Sequence, residues 1–143
     1  LQPRGGFNAW YLFLALIALA AGAGTAQART HRPQPTFAGL KSAVACFPGP
    51  IGGGRVGSYH LTWEAARDRT TPSRKIVYEI YQSSTMGGEN YSMPTYTTTP
   101  GATSYETPPL PTEAIYFFVV RARDRVGNED SNTVEREGQN LCV

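Results

Sequence analysis

Between Leu110 and Ala122 the chain reads Leu-Pro-Thr-Glu-Ala-Ile-Tyr-Phe-Phe-Val-Val-Arg-Ala, and no other stretch restricts the fold so tightly. Tyr116, Phe118, Val120 and Ala122 fall at two-residue steps, the spacing that places side chains on one face of an extended strand. Beyond Pro35 no segment keeps a 3.6-residue apolar period over the ten or more residues a helix needs. Short runs rich in Val, Ile, Thr and Tyr recur instead, separated by Gly and Pro clusters, which is the pattern of an all-β sandwich.

Seven such runs are predicted as strands. Phe37 to Ala45 is the first, with Leu40 and Ala43 as core candidates, and a Gly/Pro loop from Phe47 to Gly54 follows. Ser58 to Trp63 is the second, with Tyr59, Leu61 and Trp63 on one side and His60 and Thr62 on the other. After a polar loop from Glu64 to Arg74, Lys75 to Gln82 is the third, its inward set being Ile76, Tyr78 and Ile80. The turn Thr85-Met86-Gly87-Gly88-Glu89 leads to a weak edge strand at Thr95 to Thr98, and Ala102 to Thr107 carries Tyr105 inward. Pro108 to Pro111 forms a corner before the sixth strand, Tyr116 to Arg123, and Asn132 to Arg136 is the last.

The first 28 residues read as an export signal. Arg4 is followed by an apolar run from Trp10 through Ala23 and the small-residue site Ala26-Gln27-Ala28, so cleavage is expected before Arg29. The run is about fourteen residues, short of the roughly 20 that cross a bilayer core. The alternative is an uncleaved N-terminal anchor holding the same domain outside the membrane. The chain begins at Leu1 rather than Met, which suggests a missing start or an unusual initiation codon. Cleavage would leave 115 of the 143 residues. That is enough for one domain with a single modest core, with 29–34 as a short polar leader.

The mature chain is expected in a secreted, periplasmic or extracellular setting, where its two cysteines, Cys46 and Cys142, are most simply read as one disulfide. The bridge would close a loop of 96 positions, worth on the order of 4 kcal/mol if it acts through chain entropy. Net charge falls to about +1 without the signal, and basic and acidic residues interleave, as in Arg67-Asp68-Arg69 and Arg136-Glu137. No basic stripe of the kind phosphate binding requires is present, which excludes nucleic acid as the expected partner.

Trp63 in the second run, Tyr78-Glu79-Ile80 in the third, and Leu110 with Tyr116, Phe118, Val120 and Ala122 around the sixth resemble a fibronectin type III domain. Tyr105 five positions before Leu110 and Asp124-Arg125-Val126-Gly127-Asn128 after the sixth run extend the resemblance over 35–143. It implies an immunoglobulin-like seven-stranded β-sandwich, preceded here by a helical signal segment. Its core would hold Leu61, Trp63, Tyr78, Ile80, Tyr105, Phe118 and Val120. The Tyr116 hydroxyl would bond back to the backbone near Leu110, the tyrosine corner of such sandwiches. The cysteine pair departs from the family, whose members usually lack a disulfide, yet the implied topology delivers Cys46 and Cys142 to the same pole. The fold hosts adhesion modules, spacers and receptor ectodomains alike, so it implies little about chemistry. The adhesive tripeptide Arg-Gly-Asp does not occur in this chain.

No residue announces catalysis. His31 lies in the leader, and His60 projects outward without a partner nucleophile or a nucleophile elbow. Asp68, Asp124, Glu129 and Asp130 would share one pole, a weak calcium signal, since calcium takes six to eight oxygen ligands. Asp124 is more simply a brace for its own turn, and no metal or cofactor is expected. Asn90-Tyr91-Ser92 fits the N-glycosylation triplet. If alternation holds, Val77, Tyr81, Phe117 and Val119 face outward as an apolar patch. A protein partner, a second copy, or the leader or C-terminal tail would cover it. The expected function is therefore a non-catalytic binding or adhesion-type module, with a spacer lacking its own ligand as the alternative and an enzyme a distant third.

Overall fold

A computed structural model describes residues 33–45 and 56–141. Strands dominate, and the one helical element among the described residues is a 3-10 turn at Ser73–Lys75. The strands are β1 (Leu40–Ala45), β2 (Val56–Gly57), β3 (Tyr59–Trp63), β4 (Val77–Ser83), β5 (Tyr96–Thr97), β6 (Ser104–Glu106), β7 (Leu110–Pro111), β8 (Phe117–Arg123), β9 (Glu135–Glu137) and β10 (Gln139–Asn140). They form two open four-stranded sheets, β10-β1-β3-β6 and β5-β4-β8-β9, plus the small pair β2-β7. No helix of the described residues is long and apolar enough to cross a membrane.

The sheets meet through the alternating side chains that the sequence marks. Leu40, Leu61, Trp63, Ile76, Tyr78, Ile80, Phe118 and Val120 are buried in one cluster. Trp63 of β3 lies 5.2 Å from the Tyr78 ring of β4, and Tyr59 of β3 lies 5.4 Å from Phe118 of β8, so aromatic rings from both sheets interlock. Such tilted contacts each add about 0.5–1.5 kcal/mol beyond the area they bury. Two facing sheets joined in this way are compatible with a β-sandwich.

Tyr105, expected in the core, is only half-buried. It sits on the short edge strand β6 and packs its ring 5.3 Å from Tyr96. Leu110 is likewise half-buried, at the rim of the cluster. Tyr116 is buried and meets Tyr59 edge-on at 5.9 Å. Among the described residues its hydroxyl makes no hydrogen bond to the backbone near Leu110. The buried phenol that does lock backbone is Tyr78, whose hydroxyl accepts the Ala66 N–H at 2.7 Å.

The last predicted run is displaced: β9 begins at Glu135, three residues after Asn132. Side chains replace the ladder there, with Asn132 Nδ2 donating to the Val120 carbonyl at 3.0 Å and Asp130 accepting from the Ala122 N–H. At Gly138 the chain leaves one sheet for the other, β9 pairing with β8 and β10 running parallel to β1. The Gly138 N–H bonds to the Tyr116 carbonyl at 2.7 Å.

Candidate functional site

The outer face of β4 and β8 is where the expectation of an exposed apolar patch fails. Val119 is 0 % exposed, Tyr81 1 % and Phe117 8 %, and Val77 is half-buried. The 84–95 loop, between β4 and β5, brings the Tyr91 ring to 5.2 Å from that of Tyr81 and buries Glu89 to 8 % exposure beside it. Burying each large apolar side chain contributes about 1.5–3 kcal/mol, so a bare face of this kind favours a cover of its own chain.

Local chemistry shapes this loop. Ser83 Oγ accepts the Thr85 N–H at 3.0 Å and donates to the Thr85 carbonyl at 2.8 Å. The Gly88 N–H closes a turn on the same carbonyl at 3.0 Å. Gly87 has φ +67°, a left-handed conformation that a side chain would strain. Asn90 Oδ1 accepts from the Ser92 N–H and hydroxyl, an Asx turn inside the glycosylation triplet. The loop returns through Thr95, whose hydroxyl accepts the Gln82 N–H and whose own N–H reaches the Ile80 carbonyl.

Beneath the loop lies a cluster of charged and aromatic groups. The Arg121 guanidinium stands 3.7 Å from the Tyr91 ring centre and 5.7 Å from that of Tyr81, a cation over two faces. Its Nε donates to the Asn132 carbonyl at 2.9 Å and its Nη1 lies 3.4 Å from Glu129 Oε1. The Tyr81 hydroxyl sits between two carboxyls, 3.1 Å from Glu79 Oε2 and 3.0 Å from both Glu129 oxygens. Arg123 Nε completes the group at 2.7 Å from Glu79 Oε1. Burial, and then the facing Glu129 and Glu79, push the Tyr81 phenol far above its ordinary value. Burial and the neighbouring Glu79 raise Glu129, against the opposing pull of Tyr81 and Arg121. A second carboxyl pair is formed by Glu89 and Glu135, where Glu135 Oε2 accepts the Gly87 N–H at 2.6 Å.

Every sequence-marked carboxylate is already engaged. Asp124 accepts the N–H groups of Val126 and Asn128 at 2.9 Å each, bracing its own turn. Asp130 takes Ala122 and Asn132, and Glu129 takes Tyr81 and Arg121. Asp68 accepts the N–H and hydroxyl of Thr70 and the Thr71 N–H, bonds that outweigh slight burial and hold it below the ordinary range. Among the described residues no three metal-binding side chains gather. Two shallow hollows share Pro33, one lined by Arg67 and Arg69 and the other by Arg125, so these loops do meet. Among the described residues neither Asp68 nor Asp124 pairs with an arginine there; both accept turn amides. His60 is exposed and faces Glu106 across β3 and β6 at 3.1 Å. Cys46, Cys142, His31 and the signal segment lie outside the described residues.

Sequence reasoning marked Tyr81, Phe117 and Val119 as one strand face but missed their burial and the Tyr91 ring that packs on Tyr81. The available signal was charge: Glu79 and Arg121 are cross-strand partners on a face that also carries Val77, Tyr81, Phe117 and Val119, and buried charges require partners. Set against known proteins, the chain matches no family model, no curated protein and no solved structure.

Proposed function

We propose that this chain is an exported β-sandwich of the fibronectin type III kind and acts as a non-catalytic module that binds another protein. The 84–95 loop is its contact surface. What carries the reading is the contrast within that loop. Its underside is anchored by Tyr91, Glu89 and the Gly87 N–H, while Met86 and Met93 on its outer side are each 71 % exposed. Thioether side chains adapt to irregular partner surfaces, and an anchored loop loses less freedom on binding than a loose one. The aromatic contacts of Trp63 with Tyr78 and of Tyr116 with Tyr59 support the sandwich assignment.

The mature domain, immobilised, is the bait for a pull-down from the native envelope or medium, with the Met86→Ser, Met93→Ser double variant beside it. A protein retained by the first bait and lost from the second is expected. An identical set on both, or nothing on either, overturns binding through this loop and favours the spacer reading.

A further inference from the structure

The two carboxyl pairs under the loop differ in how their charge is met. Glu79 and Glu129 have two guanidinium groups at hand, Arg123 at 2.7 Å and Arg121 at 3.4 Å, and the Tyr81 hydroxyl between them. Glu89 and Glu135 have neither. Among the described residues Glu135 receives the Gly87 N–H, and Glu89 Oε1 is buried with no hydrogen-bond donor. Arg121 is turned to Tyr91 and Glu129, and Arg136, next to Glu135, reaches the Lys41 carbonyl instead. Tyr91 from the loop is the titratable neighbour of the pair; Arg121 from β8 is committed to Tyr91, Glu129 and the Asn132 carbonyl, and Glu79, Tyr81 and Arg123 lie further along the same face.

Two carboxylates in contact, one of them buried, cannot both stay ionised without a cation. If one holds a proton, its O–H becomes the donor that the contact lacks. From this geometry we infer that a proton shared between Glu89 and Glu135 latches the 84–95 loop onto the sheet, so that the loop is a pH-sensitive strap. Loss of the proton leaves two negative charges facing each other across the seat of the loop, which then lifts and draws Tyr91 away from Tyr81. Burial, and then the adjacent Glu135, hold Glu89 above its ordinary value, in keeping with such a latch. The folded strap thus binds more protons than the released one. It is fully closed below the ordinary carboxylate range, and its closure weakens as pH climbs through the raised value. The latch belongs to the loop's own seat, whereas a pH-dependent partner contact through Met86 and Met93 rests on the reading above.

The Gly87 amide, bonded to Glu135, is the reporter. In a two-dimensional NMR titration of the labelled mature domain, its shift is expected to move with a midpoint above the ordinary carboxylate value of about 4.3. Hydrogen-exchange protection of the Gly87 and Gly88 amides, corrected for the intrinsic rate, should fall about tenfold for each pH unit by which the proton is retained beyond that value. In Glu89→Gln the side-chain amide supplies the missing donor without a proton, so the shift returns to the ordinary range or below and protection stops varying with pH. Glu135→Gln serves the same purpose should the first variant not fold, and the wild-type titration decides alone if neither does. A Gly87 amide that moves only in the ordinary range, or a midpoint that Glu89→Gln leaves in place, overturns the latch. No partner enters the measurement, so its failure and that of the binding reading are separate results.

Discussion

Phe117 shows how much depends on what lies over a side chain. From alternation alone, Phe117→Asp would break an association and leave the domain folded. With Phe117 buried, the same change is expected to place an unpaired carboxylate out of reach of water. A loss of more than about 3 kcal/mol of stability follows, measurable by urea denaturation. A variant as stable as the wild type would mean that the face is open to solvent. The residues on this face were legible individually, because period-two spacing fixes which side chains share a face. Their burial was not, since Tyr81 is packed by Tyr91, an aromatic residue in a stretch of Gly, Asn and Ser that locally reads only as a turn. Tyr116 was correctly marked for burial, but the locking hydroxyl belongs to Tyr78, and spacing within one strand cannot reveal where a phenol's oxygen ends up.

Strands with clear alternation were the easiest elements to read: β3, β4 and β8 lie within the runs Ser58–Trp63, Lys75–Gln82 and Tyr116–Arg123 to within a residue at either end. The two-residue strands β2, β7 and β10 were missed, being too short for any period to show. Gly138 joins β9 to β10, and its glycine identity matters through space rather than dihedral freedom. A Cβ there would fall 2.4 Å from Tyr59 Cε1. That ring is flanked by Tyr116 and Phe118, at 5.9 and 5.4 Å. Gly138→Ala is therefore expected to cost about 1–3 kcal/mol by overpacking. The loss should appear as faster hydrogen exchange in β10 before the rest of the domain opens; unchanged exchange there would show that the crossing tolerates a methyl group.

At the scale of the molecule, closure of the fold between its first and last strands invites a covalent test. The Leu141 N–H donates to the Ala45 carbonyl at 3.1 Å, and the residues following these in the chain are Cys46 and Cys142. We propose that the two cysteines pair. Reduction under native conditions should then lower unfolding stability by on the order of 4 kcal/mol, if the bridge acts by restricting the unfolded chain. Two reactive thiols in the unreduced protein would refute the pairing.

The parallel run of β10 beside β1 also has a mechanical meaning. With the cysteines reduced, tension applied through the chain entering β1 and leaving β10 draws the two strands in opposite directions along their length. Their cross-links are then loaded together in shear rather than peeled one after another. A fold tied in this way should yield under force in a single event rather than by gradual unzipping.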